Sequence, residues 1–97
     1  MVTKMTRKNY RRKVKRVLDG DTIELFKPIE GKKFVRLSNV QAPEQGQFGY
    51  KKAKNQLKGM VGGKTITINP VAVRRRLIAE IIADRKNINK RMRDRGY

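Results

Sequence analysis

The chain has no cysteine and no histidine in its 97 residues. Disulfides are therefore excluded, as are thiolate and imidazole metal sites and any nucleophile activated by histidine. Tryptophan is also absent. Only eight residues are acidic, against 26 lysines and arginines, which leaves a formal net charge of +18. No apolar run approaches the length of a membrane-spanning helix, and the basic first residues lack the apolar stretch of a signal peptide. These absences predict a cytoplasmic protein with no membrane partner and no haem or nucleotide cofactor.

The charge excess implies a polyanionic partner. A positive field of this size concentrates polyanions and speeds their capture, and nucleic acid, DNA or RNA, is the first candidate. The length allows one domain with one small core. Residues 1–9 are polar and basic and are expected to form a flexible arm, with the folded domain spanning residues 10–97. Within that domain short apolar runs alternate with turn signals.

A first strand runs from Tyr10 to the Asp19-Gly20 turn, and Thr22–Phe26 forms a second. Phe34–Val40 forms a third. Tyr50, Ala53, Leu57 and Val61 then recur at helical spacing, with lysines between them, up to Gly62-Gly63. Lys64–Ile68 is a fourth strand expected to stop near Pro70, and Arg76–Ile82 is a fifth, read as central because it is almost continuously apolar. Asn87 is a plausible N-cap for a short last helix that ends near Gly96. The order predicts an α+β, mainly β fold: a five-stranded barrel of the OB type, with a helix between strands three and four and a short C-terminal helix. The few aromatic residues are assigned mostly to the core, with Phe48 and Tyr97 as candidates for base stacking.

The scarce acids are not scattered. Asp19 and Asp21 flank Gly20, and Glu44 closes the run Gln41-Ala42-Pro43-Glu44. Arg36 lies between the two groups, and Arg74-Arg75-Arg76 follows later. Carboxylates supply the oxygen ligands a hard cation requires, and arginine forks match phosphate geometry. Lys51 and Lys52, on the helix, are candidates for further phosphate contacts together with Arg74 and Arg75.

This ordered set resembles the staphylococcal nuclease family. The resemblance is carried by Val17–Thr22, the Val35-Arg36-Leu37 strand, Ala42-Pro43-Glu44, Arg76–Ile81 and Asn87-Ile88-Asn89. It implies a phosphodiesterase acting on DNA or RNA with little sequence preference, typically with Ca2+, and with Mg2+ or Mn2+ as other candidates. Carried over by position, Asp21 is the metal-binding aspartate and Asp19 an outer acid near the metal. Ala42 would contribute its backbone carbonyl. Glu44 engages the attacking water, and Arg36 and Arg76 grip the phosphate, with Arg75 as the alternative to Arg76. The family carries a second metal-binding aspartate where this chain has Gln41. An amide oxygen there can coordinate without charge, so weakened cation affinity is expected. The alternative is a non-catalytic nucleic-acid-binding module that retains the fold. The oligomeric state is not legible in these residues.

Overall fold

The computed structural model describes residues 8–97. Most of the expected basic arm lies outside the described residues. Lys8 and Asn9 precede the first strand without regular structure, and the Lys8 ammonium lies over the Tyr10 ring.

Five strands form the barrel: β1 (Tyr10–Asp19), β2 (Thr22–Ile29), β3 (Lys32–Leu37), β4 (Thr65–Val73) and β5 (Leu77–Ala83). Helix α1 (Tyr50–Val61) lies between β3 and β4. A two-residue strand, β6 (Lys86–Asn87), precedes helix α2 (Ile88–Asp94). The strand order is β3-β2-β1-β4-β5-β6, and a parallel pairing of β3 with β5 closes the sheet. The expected five-stranded barrel, with its inserted helix and short final helix, is therefore present.

Alternation determines what enters the core. In β5 the residues Leu77, Ala79, Ile81 and Ala83 are buried, and the residues between them are half-buried. The near-continuous apolar run is thus a strand with one face buried in the barrel and a half-buried opposite face. The core is aliphatic. Leu57 and Val61 of α1 pack into it beside Ile23, Leu25, Val35, Leu37 and Ile66. Each such side chain contributes about 1.5–3 kcal/mol by leaving water. No aromatic residue is fully buried among the described residues, which corrects the assignment of the aromatics to the core. Phe48 is fully exposed and Phe26 largely so, while Tyr97 packs against the core's edge.

Strand β4 also differs from expectation. It continues through Pro70 to Val73, with a register shift between Pro70 and Ala72. A bulge is one of the places where a strand tolerates a residue that has no N–H to donate.

Asn89, fully buried at the start of α2, ties the last helix to the barrel. Its side-chain oxygen accepts from the Ile81 N–H at 2.9 Å, and its amide donates to the carbonyls of Ser38 (2.9 Å) and Ala79 (3.0 Å). Asn87 caps the helix as expected, accepting from the Lys90 N–H at 3.0 Å. Among the described residues Glu80 pairs with no arginine; it accepts from the Asn87 amide at 3.3 Å.

Candidate active site

The site is built on the turn between β1 and β2. Register shifts in β1 fall between Val14 and Arg16 and between Val17 and Asp19. Each bulge resets the strand's alternation. The first places Lys15 and Arg16 side by side outside the barrel, and the second brings Leu18 and Asp19 to the rim of a surface groove. Gly20 occupies the turn because nothing larger fits. A Cβ there would lie 2.6 Å from the Ala42 Cβ and 2.7 Å from the Ala53 Cβ. The absent side chain lets α1 and the loop after β3 close over the acidic turn.

Asp21 is buried and held on all sides. Its Oδ1 accepts from the Thr22 hydroxyl at 2.9 Å, and its Oδ2 accepts from the Ala42 N–H at 3.0 Å. The Arg36 guanidinium lies 3.5 Å from Oδ2 and remains partly exposed. Thr22, Arg36 and Ile78 form one row across β2, β3 and β5, so the barrel's pairing itself aims Arg36 at the acidic turn. Asp19 accepts from the Asp21 N–H at 3.0 Å. Burial, and the adjoining Asp21 carboxyl, push Asp19 up to about 6. Two crowded carboxyls, one reluctant to ionise, form a site that a cation would relieve.

Glu44 is exposed and leaves its carboxylate free among the described residues. Its backbone N–H donates to the Gln47 side chain at 2.7 Å, while the Gln47 N–H returns a bond to the Glu44 carbonyl at 2.8 Å. Asp19 and Glu44 line the same groove, of about 800 Å³. Gln41 is exposed and its backbone N–H donates to the Tyr97 carbonyl at 2.7 Å, which fixes the main chain and leaves the amide side chain free among the described residues. Ala42 is half-buried beside Asp21.

Arg76 sits in the tight β4–β5 turn, where its carbonyl accepts from the Arg74 N–H at 2.9 Å. Arg74, Arg75 and Arg76 are all exposed. Arg76 stands two residues before Ile78, the parallel partner of Arg36. Arg74–Arg76 precede β5, which begins at Leu77, so the strand register does not separate Arg75 from Arg76 relative to Arg36. Lys51 and Lys52 are exposed but lie outside the groove; the helix directs Lys54 and Lys58 into it instead.

The arrangement thus joins Asp21 with Arg36, and Asp19 with Glu44, around one turn. Among the described residues no group of three or more acidic, histidine or cysteine side chains converges as a ready metal cage. In the sequence Gly20, Thr22 and Asn89 fall within motifs without a role of their own, and Tyr50 reads only as part of the helix. The spacing Tyr50-Lys54-Lys58, four residues apart on a helix, carries a readable signal for the groove.

No protein-family model matches the chain. It is 36% identical over 83 residues to a protein of Escherichia coli named an uncharacterized endonuclease; the match covers 82% of this chain and 54% of that protein. A protein of Escherichia coli O157:H7 with the same name matches to the same extent. The Bacillus subtilis endonuclease YhcR is 34% identical over 102 residues, which cover 87% of this chain and 8% of YhcR. The chain therefore spans about half the length of its Escherichia coli relatives and a small part of YhcR. Over most of its own length it is similar to proteins named endonucleases, and the residues that form the Asp21–Arg36 site lie in a closed β-barrel that can hold them rigidly.

Proposed function

We propose that this chain is a metal-dependent phosphodiesterase of the staphylococcal nuclease type, cleaving DNA or RNA with little sequence preference. The observation that carries the reading is the Asp21–Arg36 pair, fixed by Thr22 and Ala42, beside a groove that contains the free Glu44 carboxylate. The endonuclease names of the relatives support nuclease chemistry in general.

The donor set is all oxygen, which suits Ca2+, with Mg2+ or Mn2+ as substitutes. Asp21 and Asp19 would supply the charge, with the Gln41 amide oxygen and the Ala42 carbonyl as neutral donors. A bound cation would polarise the phosphoryl oxygen and lower the pKa of its water. With two neighbouring carboxylates and no acid at Gln41, the free protein would hold such an ion weakly, and a substrate phosphate would strengthen its binding. Tight Ca2+ binding without nucleotide, measured by calorimetry, is the result that contradicts this.

Arg36 binds a non-bridging phosphate oxygen and exchanges part of its contact with Asp21 for it. Arg76, exposed just before the strand that pairs with β3, grips the phosphate from that side, with Arg75 as the alternative. Glu44 orients the attacking water and accepts its proton. The side chains gathered at the site and groove are chiefly carboxylates, lysines and arginines, groups suited to phosphates, which fits cleavage without sequence preference.

The test is incubation with single-stranded DNA and RNA in the presence of Ca2+, Mg2+ or Mn2+ in turn. Glu44→Gln should lower the rate by about 10²–10⁴-fold if it removes the base, and Arg36→Ala by about 10²–10³-fold. Binding without cleavage under every metal favours the non-catalytic module, a reading supported by the absence of a three-acid cluster among the described residues.

A further inference from the structure

The groove extends well beyond the acids. Tyr50, Lys54 and Lys58 form a single stripe along α1, from its first turn beside Glu44 to its last turn at Gly62 and Gly63. Lys15 and Arg16, turned outward together by the β1 bulge, line the groove from the barrel side. Its volume of about 800 Å³ is far more than one phosphate requires.

The cations in this groove are not equivalent. Arg16 is paired with Glu24, which also meets Lys33. Lys15, Lys54 and Lys58 have no carboxylate partner among the described residues. Lys54 is held in position instead. Its ammonium lies over the Tyr50 ring, 5.5 Å from the centroid, and donates to the Tyr50 hydroxyl at 3.4 Å. That hydroxyl donates to the Leu18 carbonyl at 2.9 Å, which anchors the stripe to the acidic turn. Lys54 and Lys58 are one helical turn apart, about 6 Å along the axis, the scale of one nucleotide step in an extended strand.

We infer that this groove is a track for a single polynucleotide strand, with Lys15, Lys54 and Lys58 neutralising successive phosphates on one side of the Asp19–Glu44 end. The occupant follows from charge complementarity: three cations without a carboxylate partner among the described residues line a concave surface that extends along α1 from Tyr50 to Gly63. The inference rests on the proposed function only in treating the acidic end as the place where a phosphodiester is handled. It assigns to α1 a role in strand binding that Lys51 and Lys52, outside the groove, do not share.

The experiment measures binding of a fluorescent single-stranded 12-mer by anisotropy in EDTA, so that the outcome does not depend on cleavage. Lys15→Ala/Lys54→Ala/Lys58→Ala is compared with the parent and with Lys86→Ala/Lys90→Ala/Arg95→Ala, which removes equal charge from the separate depression around α2. The groove variant should bind more weakly by on the order of tenfold or more, and its log–log salt slope should be shallower by about 2, at about 0.7 per lost single-strand contact. The α2 variant should lose much less. Amide shifts in the parent on titration with the 12-mer should concentrate at Lys15–Asp19, Tyr50–Lys58 and Gly62-Gly63. Equal losses in the two variants, no loss in the groove variant, or shifts that bypass α1 each overturn the track. If the track is supported while no metal yields cleavage, the catalytic reading fails and the groove assignment remains.

Discussion

Replacing Gly20 by alanine tests the geometry of the acidic turn most directly. The added Cβ would meet Ala42 at 2.6 Å and Ala53 at 2.7 Å, with the Ala53 carbonyl carbon at 3.3 Å. Ordinary carbon contact lies near 3.5–4.0 Å, so either the loop or α1 must retreat by about 1 Å. Overpacking of this kind costs about 1–3 kcal/mol. If the loop moves, the 3.0 Å bond from the Ala42 N–H to Asp21 is also lost, and a hydrogen bond to a charged group contributes about 1.5–3 kcal/mol. The sum is a loss of roughly 2.5–6 kcal/mol. In a domain of this size that lowers the melting temperature by roughly 10–50 °C. Urea titration of the parent and the variant reads the free energy directly. The control is Gly59→Ala. Nothing lies within 4 Å of a Cβ at that helical position, so this substitution should raise stability by about 0.5–1 kcal/mol. Ala42→Gly in the Gly20→Ala background should recover only part of the loss, because the Ala53 contact remains. A Gly20→Ala protein within about 0.5 kcal/mol of the parent, inside the range of ordinary surface substitutions, refutes the claim that close approach dictates this glycine.

Other outcomes follow from the same contacts. Asn89→Ala leaves the buried Ile81 N–H without its acceptor, a loss of about 2 kcal/mol or more by chemical denaturation; Asn89→Asp restores that acceptor but places charge against two carbonyls and should not rescue. Glu24 is held below its ordinary 4.5 chiefly by the hydrogen bond from Arg16, and the nearby lysines add to the effect. A depressed carboxyl stabilises the fold above its unfolded value, and the benefit is lost as pH falls through the folded one. Stability should therefore decline below pH ~4.5, and Glu24→Gln should flatten that part of the profile in thermal scans. Arg75→Ala should retain more activity than Arg76→Ala in the phosphodiesterase assay, because Arg76 directly precedes Leu77, the first residue of the strand paired with β3; the reverse order would reassign the second arginine.

Strand and helix order were legible because each element carries its own period. β5 alternates in full, and α1 repeats Tyr50, Ala53, Leu57 and Val61 on one side. Pro70 misled because a strand normally ends at such a residue, whereas a bulge here absorbs the missing donor. The aromatics misled because aromatic residues are usually buried; with isoleucine, leucine and valine filling the barrel, Phe26 and Phe48 are left outside. The acids and Arg36 were visible as a pattern, but their partners were not. The Ala42 N–H and Asn89 act through contacts between segments distant in sequence, and no local spacing announces those. The bulges in β1 are likewise a property of two paired strands, so the outward turn of both Lys15 and Arg16 emerges only in three dimensions.

The parallel pairing of β3 with β5 has a temporal consequence. Asp19, Asp21, Arg36 and Glu44 all belong to the first half of the chain, yet Arg36 is flanked on one side by a strand that begins only at Leu77. During synthesis the acidic turn and its arginine therefore leave the ribosome long before the barrel can close. Closure joins residues some forty positions apart, the sort of long-range contact that forms slowly because loop entropy must be lost first. The site is thus among the last parts of the molecule to become rigid, and its reactive groups are assembled only once the strand that completes the barrel has been made.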